Sequence, residues 1–563
     1  MALLGEGTEL SPWQIGTTAD WQEFVDGIQA TAALRNDYYI ITQDIDFSAV
    51  SAVEPCAPHG SSFAGQFDGN DKVLSNITLD ISAIDSYNSL ALFQRCASGA
   101  VIKDLTVNNI TVSGSSPNAG RQSYCAGLVG ENSYGSTIQN CDVQATITHA
   151  HTNANSNGVQ YALVGTIAGA NHGLVEYCNA SGSITCQIAA AASYVSVGGI
   201  IGLQTSGASG GQTGYVRDSI STTTITFLGS ASQSNYVGGI AGRNVIVGGV
   251  VEGYIQRCHY NGTISFSNNG AGLWDFVGGG VADASANIED SSARGTITAV
   301  SASTSLFRVG GFTSSCILAT APISGCYADV AISVNYATKS KVGGFIGWAQ
   351  NTTITNCYAK GSLTDLKEGV GQPTNFENGS GFGQIFQATA TNCWAATASW
   401  GIKGGNTTSY GFGSAGSATA MNDCFWDSTS SGISAANSGA TAKTTAQLKK
   451  IYSDAESAYN ETGYDFDLAD GRVWKMADGM YPLLDWQTYP YGGGAGTAAN
   501  PYKIKSLLDW NYAYTNVDNR SGDITTYFQL LRDSTLATEF MIIKRGGSSS
   551  GGVFGGGGGI FGN

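Results

Sequence analysis

Charge is scarce in this 563-residue chain: 12 % of residues are Asp, Glu, Lys or Arg, and 26 basic residues face 42 acidic ones. The net charge of −16 and the pI near 4.6 argue against nucleic acid as a partner, because an acidic surface repels phosphate. The acid mainly confers solubility. No stretch approaches the ~20 apolar residues of a membrane-spanning helix, so no membrane insertion is expected. The start, Met1-Ala-Leu-Leu-Gly-Glu-Gly-Thr8, has neither the basic nor the apolar region of a secretory leader. Either a mature form has been trimmed or the protein is assembled in the cytoplasm and leaves by another route. Gly-x-Ser-x-Gly, His-Glu-x-x-His and phosphate-loop patterns are missing. Histidines number five, and they fall mostly in loops.

Glycine, by contrast, is abundant, with 77 residues. From about Gly127 to Cys424 one phrase recurs nine times. Its first half is a glycine pair or Gly-x-x-Gly among small apolar residues: Ala126-Gly-Leu-Val-Gly130, Val197-Gly-Gly-Ile-Ile-Gly202, Val342-Gly-Gly-Phe-Ile-Gly347. Its second half is an apolar residue, two mostly polar ones, then Cys or Ser. The Cys/Ser positions are Cys141, Cys178, Ser219, Cys258, Ser291, Cys326, Cys357, Cys393 and Cys424, spaced between 31 (Cys326 to Cys357) and 41 (Cys178 to Ser219) residues. A period of this size marks a stacked repeat.

Which kind of repeat follows from the residues after each Cys/Ser. Small and apolar residues occupy every second position: Cys141, Val143, Ala145, Ile147; Cys326, Ala328, Val330, Ile332. Glycine fills the fifth position at Gly182, Gly262 and Gly295, and a branched residue comes six after the Cys/Ser in seven consecutive copies, from Ile147 to Leu363. Period two means strand, and no ten-residue amphipathic stretch lies between the copies. Stacked at roughly 4.8 Å, the equivalent residues form continuous interior ladders. The Cys/Ser column is a ladder of buried thiols used as small fillers, since neither a disulfide nor a metal site accepts Ser so often.

At the N-terminal end, Thr17 or Thr18 caps a helix from about Ala19 to Leu34, followed by a strand at Tyr38–Ile41. Asp68-Gly69 within Phe63–Asn70 signals a hairpin, with a calcium loop through Asp68, Asn70 and Asp71 as the weaker reading. A second helix is expected from about Ala446 to Tyr459. After it, Gly494-x-Gly-Thr497, Pro501-Tyr502-x-Ile504 and Asp509-Trp510 repeat the N-terminal segment at an offset of 489 residues (Pro12 to Pro501, Trp21 to Trp510). Gly546 to Asn563 is a Ser/Gly tail punctuated by Phe554, Ile560 and Phe561.

The segment Gly5 to Trp21, the stretch Phe63–Asn70, the Gly-Leu-Val-Gly130 units and the closing Asn422–Asp427, Thr444–Leu448 and Tyr481–Trp486 resemble the GLUG-motif repeat family over residues 5–487. The resemblance implies a scaffold without a common catalytic residue, of a kind found in large surface adhesins, peptidase-associated bacterial proteins and some phage proteins.

The fold expected is all-β: a parallel β-solenoid (β-helix) of about nine or more coils with small α-containing caps. Residues 1–96 are the N-terminal cap and first solenoid strands, 97–426 the repeats, 427–487 a C-terminal cap with one helix, 488–544 a truncated duplicate of the first cap, and 545–563 the Gly-rich tail. A polysaccharide-cleaving site would need carboxylates converging on one face. Glu176, Asp218, Glu289, Asp290 and Asp423 come closest, but Gln256-Arg257 and Ser324-Gly325 interrupt the column. His149 and His151 share a strand face without a third ligand nearby. No catalytic residue, metal or cofactor is therefore expected. An aromatic precedes many glycine units: Tyr124, Tyr161, Tyr194, Tyr236, Phe276 and Phe307. Facing outward, these form a stripe suited to stacking on sugars or gripping another chain; with Phe554 and Phe561 they are the candidate binding residues. The expected function is non-enzymatic attachment by a phage virion fibre or adhesin component. A bacterial cell-surface or matrix adhesin is the alternative, and a carbohydrate-degrading tailspike-like enzyme comes third. Expected partners are other virion or surface proteins, host surface glycans and another copy of the chain through the C-terminal region.

Overall fold

The computed structural model describes residues 3–57, 62–79, 89–115, 123–151, 161–188, 194–206, 214–230, 234–246, 254–270, 274–302, 306–317, 322–336, 340–365, 379–400, 410–413, 420–433, 439–460, 462–466, 473–476 and 481–487, with four short strands beyond. It divides into two compact units, Met1–Tyr464 with Ala477–Tyr481, and Asp465–Met476 with Pro482–Asn563.

The first unit is a parallel β-solenoid. Three sheets run its length: a wide one of 24 strands and two narrow ones of nine strands each. Nine successive coils, from Ser89 to Phe386, each contribute one strand to each narrow sheet, here termed leading and trailing, before entering the wide sheet. The coil that starts at Tyr194 is representative: leading strand Tyr194–Gly198, trailing strand Ile201–Ser206, then Tyr215–Arg217, Ile220–Ser221 and Thr224–Gly229 in the wide sheet.

Alternation fills the interior. Ile147, Ile184, Ile225, Ile264, Ile297, Ile332 and Leu363 are paired register to register and all are buried. At the head of each long strand the Cys/Ser side chain donates to a carbonyl of its own corner: Cys178 Sγ to Glu176 O at 3.2 Å, Ser219 Oγ to Arg217 O at 2.8 Å. Thiol and hydroxyl satisfy the same acceptor, which explains their exchange. All twelve cysteines are free and buried. The residue before the Cys/Ser has positive φ in successive coils (Asn140, Tyr177, Asp218, Arg257, Asp290, Gly325, Asn356, Asn392, Asp423). This left-handed residue turns the corner between the short and long strands of the wide sheet, and Asn, Asp and Gly adopt it most readily.

The glycines make a sharp bend between leading and trailing strands. A Cβ on Gly198 would lie 1.9 Å from Ile201 O, and one on Gly202 2.6 Å from the Val164 amide nitrogen. The middle glycine faces the other way, where a Cβ on Gly199 would meet Ser221 Oγ at 2.3 Å.

A helix, α1 (Thr18–Ala30), closes the first coil. Thr17 caps it by accepting from Asp20 N, and Trp21, Phe24, Val25 and Ile28 are its buried stripe. The rings of Trp21 and Phe24 pack with Phe47, Phe67 and Phe93 at centroid distances of 5.5–6.4 Å. The helix ends earlier than expected, and Ala32–Asn36 continues as a 3-10 turn.

Two local expectations are corrected. Asp68-Gly69 is not a hairpin: the strand Gln66–Thr78 runs on, parallel to both neighbours. Asn70 and Asp71 both take positive φ, and Asn70 N donates to Asp68 Oδ1 at 2.7 Å, so the pair turns a corner instead of reversing the chain. A four-residue α2 (Ser428–Ser431), which was not expected, comes first; of the helix expected at 446–459 only α3 (Thr445–Lys449) forms, opened by a Thr444/Gln447 capping box. Beyond Lys449, Ser457 Oγ donates to Lys450 O and Asp454 accepts from Glu456 N. Such local side-chain bonds compete with helix continuation.

In the second unit, Trp474–Lys475 pairs antiparallel with Leu483–Leu484. Tyr502–Ile504 pairs parallel with Thr526–Leu530. The partners Tyr502↔Phe528 stand 489 residues from Trp13↔Tyr39, so the duplicated segment repeats the first cap's register. Thr526–Leu530 then pairs antiparallel with Glu539–Ile543, which the first cap does not do.

Candidate functional site: the crease between the narrow sheets

The bend at the glycines leaves the leading and trailing strands with one face each on the main core and one face towards each other. Parity sorts the side chains. Residues two or four before the first bend residue (Gly165 and its register equivalents, which include Ala126) line this crease: Tyr124, Tyr161, Leu163, Tyr194, Ser196, Tyr236, Trp274, Phe276, Arg308 and Lys341. The odd positions, such as Val195, Val197, Val277 and Val309, enter the main core. From the trailing strand, Glu131, Ala170, Leu203, Arg243, Asp283, Ser315 and Trp348 stand at one height.

The contents of the crease change along the axis. Towards the N-terminal end Leu163, Ala170 and Leu203 form a small apolar cluster of their own, with Tyr124, Tyr161 and Tyr194 packed against it. Further on, Tyr236 and Phe276 stack at 4.9 Å, and Arg243 lies over Tyr236 at 4.6 Å and over Tyr194 at 5.1 Å. Its guanidinium also bonds Asp283 Oδ2 at 3.1 Å. Next comes Arg308, 8 % exposed, between the rings of Phe276 (5.5 Å) and Trp348 (5.3 Å). Arg308 Nη1 donates to Ser315 Oγ at 2.7 Å, while its Nε has no partner. Lys341 Nζ sits 3.3 Å from the centre of Trp348. Trp274 is 49 % exposed at the rim.

Burial sets the electrostatics. It draws the Arg308 guanidinium down to about 10, against the pull of Asp283 and Tyr236, so the cation persists at neutral pH. Burial likewise raises the Asp283 carboxyl, with Arg243 opposing.

Five of the aromatics singled out from sequence (Tyr124, Tyr161, Tyr194, Tyr236 and Phe276) line the crease, the first three half-buried and the last two buried. Phe307 does not. It stands three residues before Gly310, an odd number, and is buried in the main core. Phe561 lies outside the described residues, and of Phe554 only the strand Phe554–Gly555 is described. Sequence reasoning missed Arg243, Arg308, Lys341 and Trp348. Counting parity back from the glycines, or one residue on from the third glycine, picks them out.

The scattered carboxylates are used otherwise. Glu176 pairs with Arg217 of the next coil at 2.7 Å, Asp218 with Arg257 at 2.6 Å, and Glu289 accepts from Gln256 at 3.0 Å. Among the described residues no three His, Cys, Asp or Glu side chains converge as metal ligands. His149 is buried in the wide sheet. Asp68 accepts Lys103 Nζ at 2.6 Å, which puts a protein cation where the calcium reading required a metal.

Comparison with known proteins bears on the repeat. Residues 340–364 match the GLUG motif, a span that holds one whole coil: leading strand, glycine bend, trailing strand and its run of the wide sheet. Halomucin of Haloquadratum walsbyi is 31 % identical over 155 residues, 26 % of this chain and 2 % of that protein; the chain thus matches a small fraction of that relative's length. A solved structure from Bacteroides ovatus, provisionally assigned as an immunoglobulin A1 protease, superposes with a TM-score of 0.34 and 16 % identity, covering 86 % of this chain and 94 % of that one. At that level the likeness carries nothing about activity. The motif match identifies one coil of the solenoid, residues 340–364, as a GLUG repeat.

Proposed function

We propose that the solenoid is a non-catalytic attachment scaffold displayed on the outside of a particle or cell. The observation that carries this reading is the fate of three of the five candidate acid/base groups: along the corner of the wide sheet, Glu176, Asp218 and Glu289 are tied to side chains of the adjacent coil. A carboxylate held by Arg is a stabilising strut and a poor proton carrier. Two observations support different exteriors. Twelve free, buried thiols suit assembly in a reducing compartment, as for a virion fibre. The likeness to halomucin, a mucin by name, supports a cell-surface coat. Immunogold microscopy of source material decides between them: label on purified virions supports the fibre, and label on the cell envelope the adhesin. Label confined to cytoplasm, or release of reducing ends from polysaccharides by the purified protein, would overturn the proposal.

A further inference from the structure

We infer that the C-terminal part of the crease binds an acidic polysaccharide, with Arg308 and Lys341 meeting carboxylates on successive sugars and Trp274 at the rim stacking on a sugar face. The inference rests on the attachment reading and names its ligand class.

Three observations lead there. The first is charge placed against the trend of the chain. A protein of net charge −16 gathers Arg243, Arg308 and Lys341 in three of four successive coils of one crease, where Asp283 is the carboxylate that faces them and is already bonded to Arg243. The second is an unsatisfied donor. Arg308 is 8 % exposed and its Nε lacks a partner, although leaving a buried charged donor unbonded costs stability. A ligand carboxylate supplies what is missing, and a guanidinium is shaped to take it. The third is spacing. Arg308 and Lys341 are direct register partners, so their backbones are separated by one strand spacing, about 4.8 Å. That rise is close to the length of one pyranose ring along a chain, and a polymer lying in the crease meets one coil per sugar. Trp348 is already covered by Phe386 and the two cations, so the stacking that sugars use falls to Trp274 at the rim, 49 % exposed.

A neutral glycan would gain the stacking but leave Arg308 unsatisfied. A phosphorylated polymer would offer anions at a wider interval. Uronate-type sugars fit both features.

The test uses the full-length protein, a galacturonate oligosaccharide and the same oligosaccharide methyl-esterified, followed by calorimetry. The expected result is binding of the acid, no measurable binding of the ester, and affinity lowered on the order of tenfold by R308Q and by K341Q, the loss of one charge-assisted bond each. If R308Q melts early, K341Q decides, since the lysine is less buried. Equal binding of acid and ester, absence of binding to either, or an unaltered affinity in K341Q would overturn the inference. Those outcomes leave label on the exterior under immunogold untouched, so failure of the ligand and failure of the attachment reading are told apart.

Discussion

The wide sheet and the crease are built from the same coils, yet they use them in opposite ways. In the wide sheet one height carries Ile in six successive coils and then Leu363. In the crease one height reads Tyr124, Leu163, Ser196, Tyr236, Phe276, Arg308, Lys341. A stack requires each interior column to fit its neighbours above and below, so the core tolerates little change. The crease tolerates change at a rim where Tyr124 and Lys341 are half-buried and Trp274 is 49 % exposed. Uniform columns hold the solenoid together; the mixed one is free to recognise something.

Substitutions sharpen the contrast. The largest effect is expected at the bend shared by both regions. Gly198→Val puts a side chain where the Ile201 carbonyl already lies 1.9 Å from a Cβ, and a loss of about 4 kcal/mol or more follows, read as a collapse of Tm or insoluble expression. Next is the uniform column. Ile264→Ala leaves a cavity in a fully buried ladder and costs roughly 2–5 kcal/mol. Tyr194→Ala in the half-buried part of the crease costs about 1 kcal/mol, both losses being read by denaturant titration. Equal losses at the two sites would break the comparison.

A buried acid gives a pH signature. Asp275 faces the core, where Ser301, Asn235 and Asn268 donate to it at 2.6–3.1 Å. Burial nevertheless raises its carboxyl above the ordinary range, the three donors offsetting part of the shift. The folded protein therefore holds this proton more tightly than the unfolded chain. Its contribution is fully present below the usual carboxylate value of about 4 and is lost as pH rises through the folded value. Asp275→Asn is expected to flatten that decline, seen as Tm against pH; parallel curves for parent and variant would contradict it. The smallest effect is Cys258→Ser, below about 1 kcal/mol, because Ser219 and Ser291 already hold this position in the adjacent coils.

Much of the solenoid was legible in the sequence, and the reason is the stacking itself. A column of Cys/Ser, then a column of Ile six residues on, can arise only from parallel in-register coils, so period and alternation sufficed. Corners were less legible. The two polar residues before each Cys were recognised only as polar, although the second of them is usually Asn or Asp because it takes the left-handed conformation. Asp68-Gly69 misled because the same residues serve a reversing turn and a corner; only the partner strands tell them apart. Helix α3 stops at Lys449 because Asp454 and Ser457 bond the local backbone, a competition that propensity alone does not weigh. In the candidate site, attention to aromatics found Tyr194 and Tyr236 but included Phe307 and passed over Arg308. Which face a strand residue occupies depends on parity from the bend, and residue type says nothing about it.

A crystal structure of the full chain soaked with a galacturonate oligosaccharide tests most directly whether the mixed column is the recognition surface. Sugar density in the crease, with a carboxylate against Arg308 and a ring on Trp274, is the result the account predicts. Density on the outer face of the wide sheet, or an empty crease at saturating ligand, would contradict it.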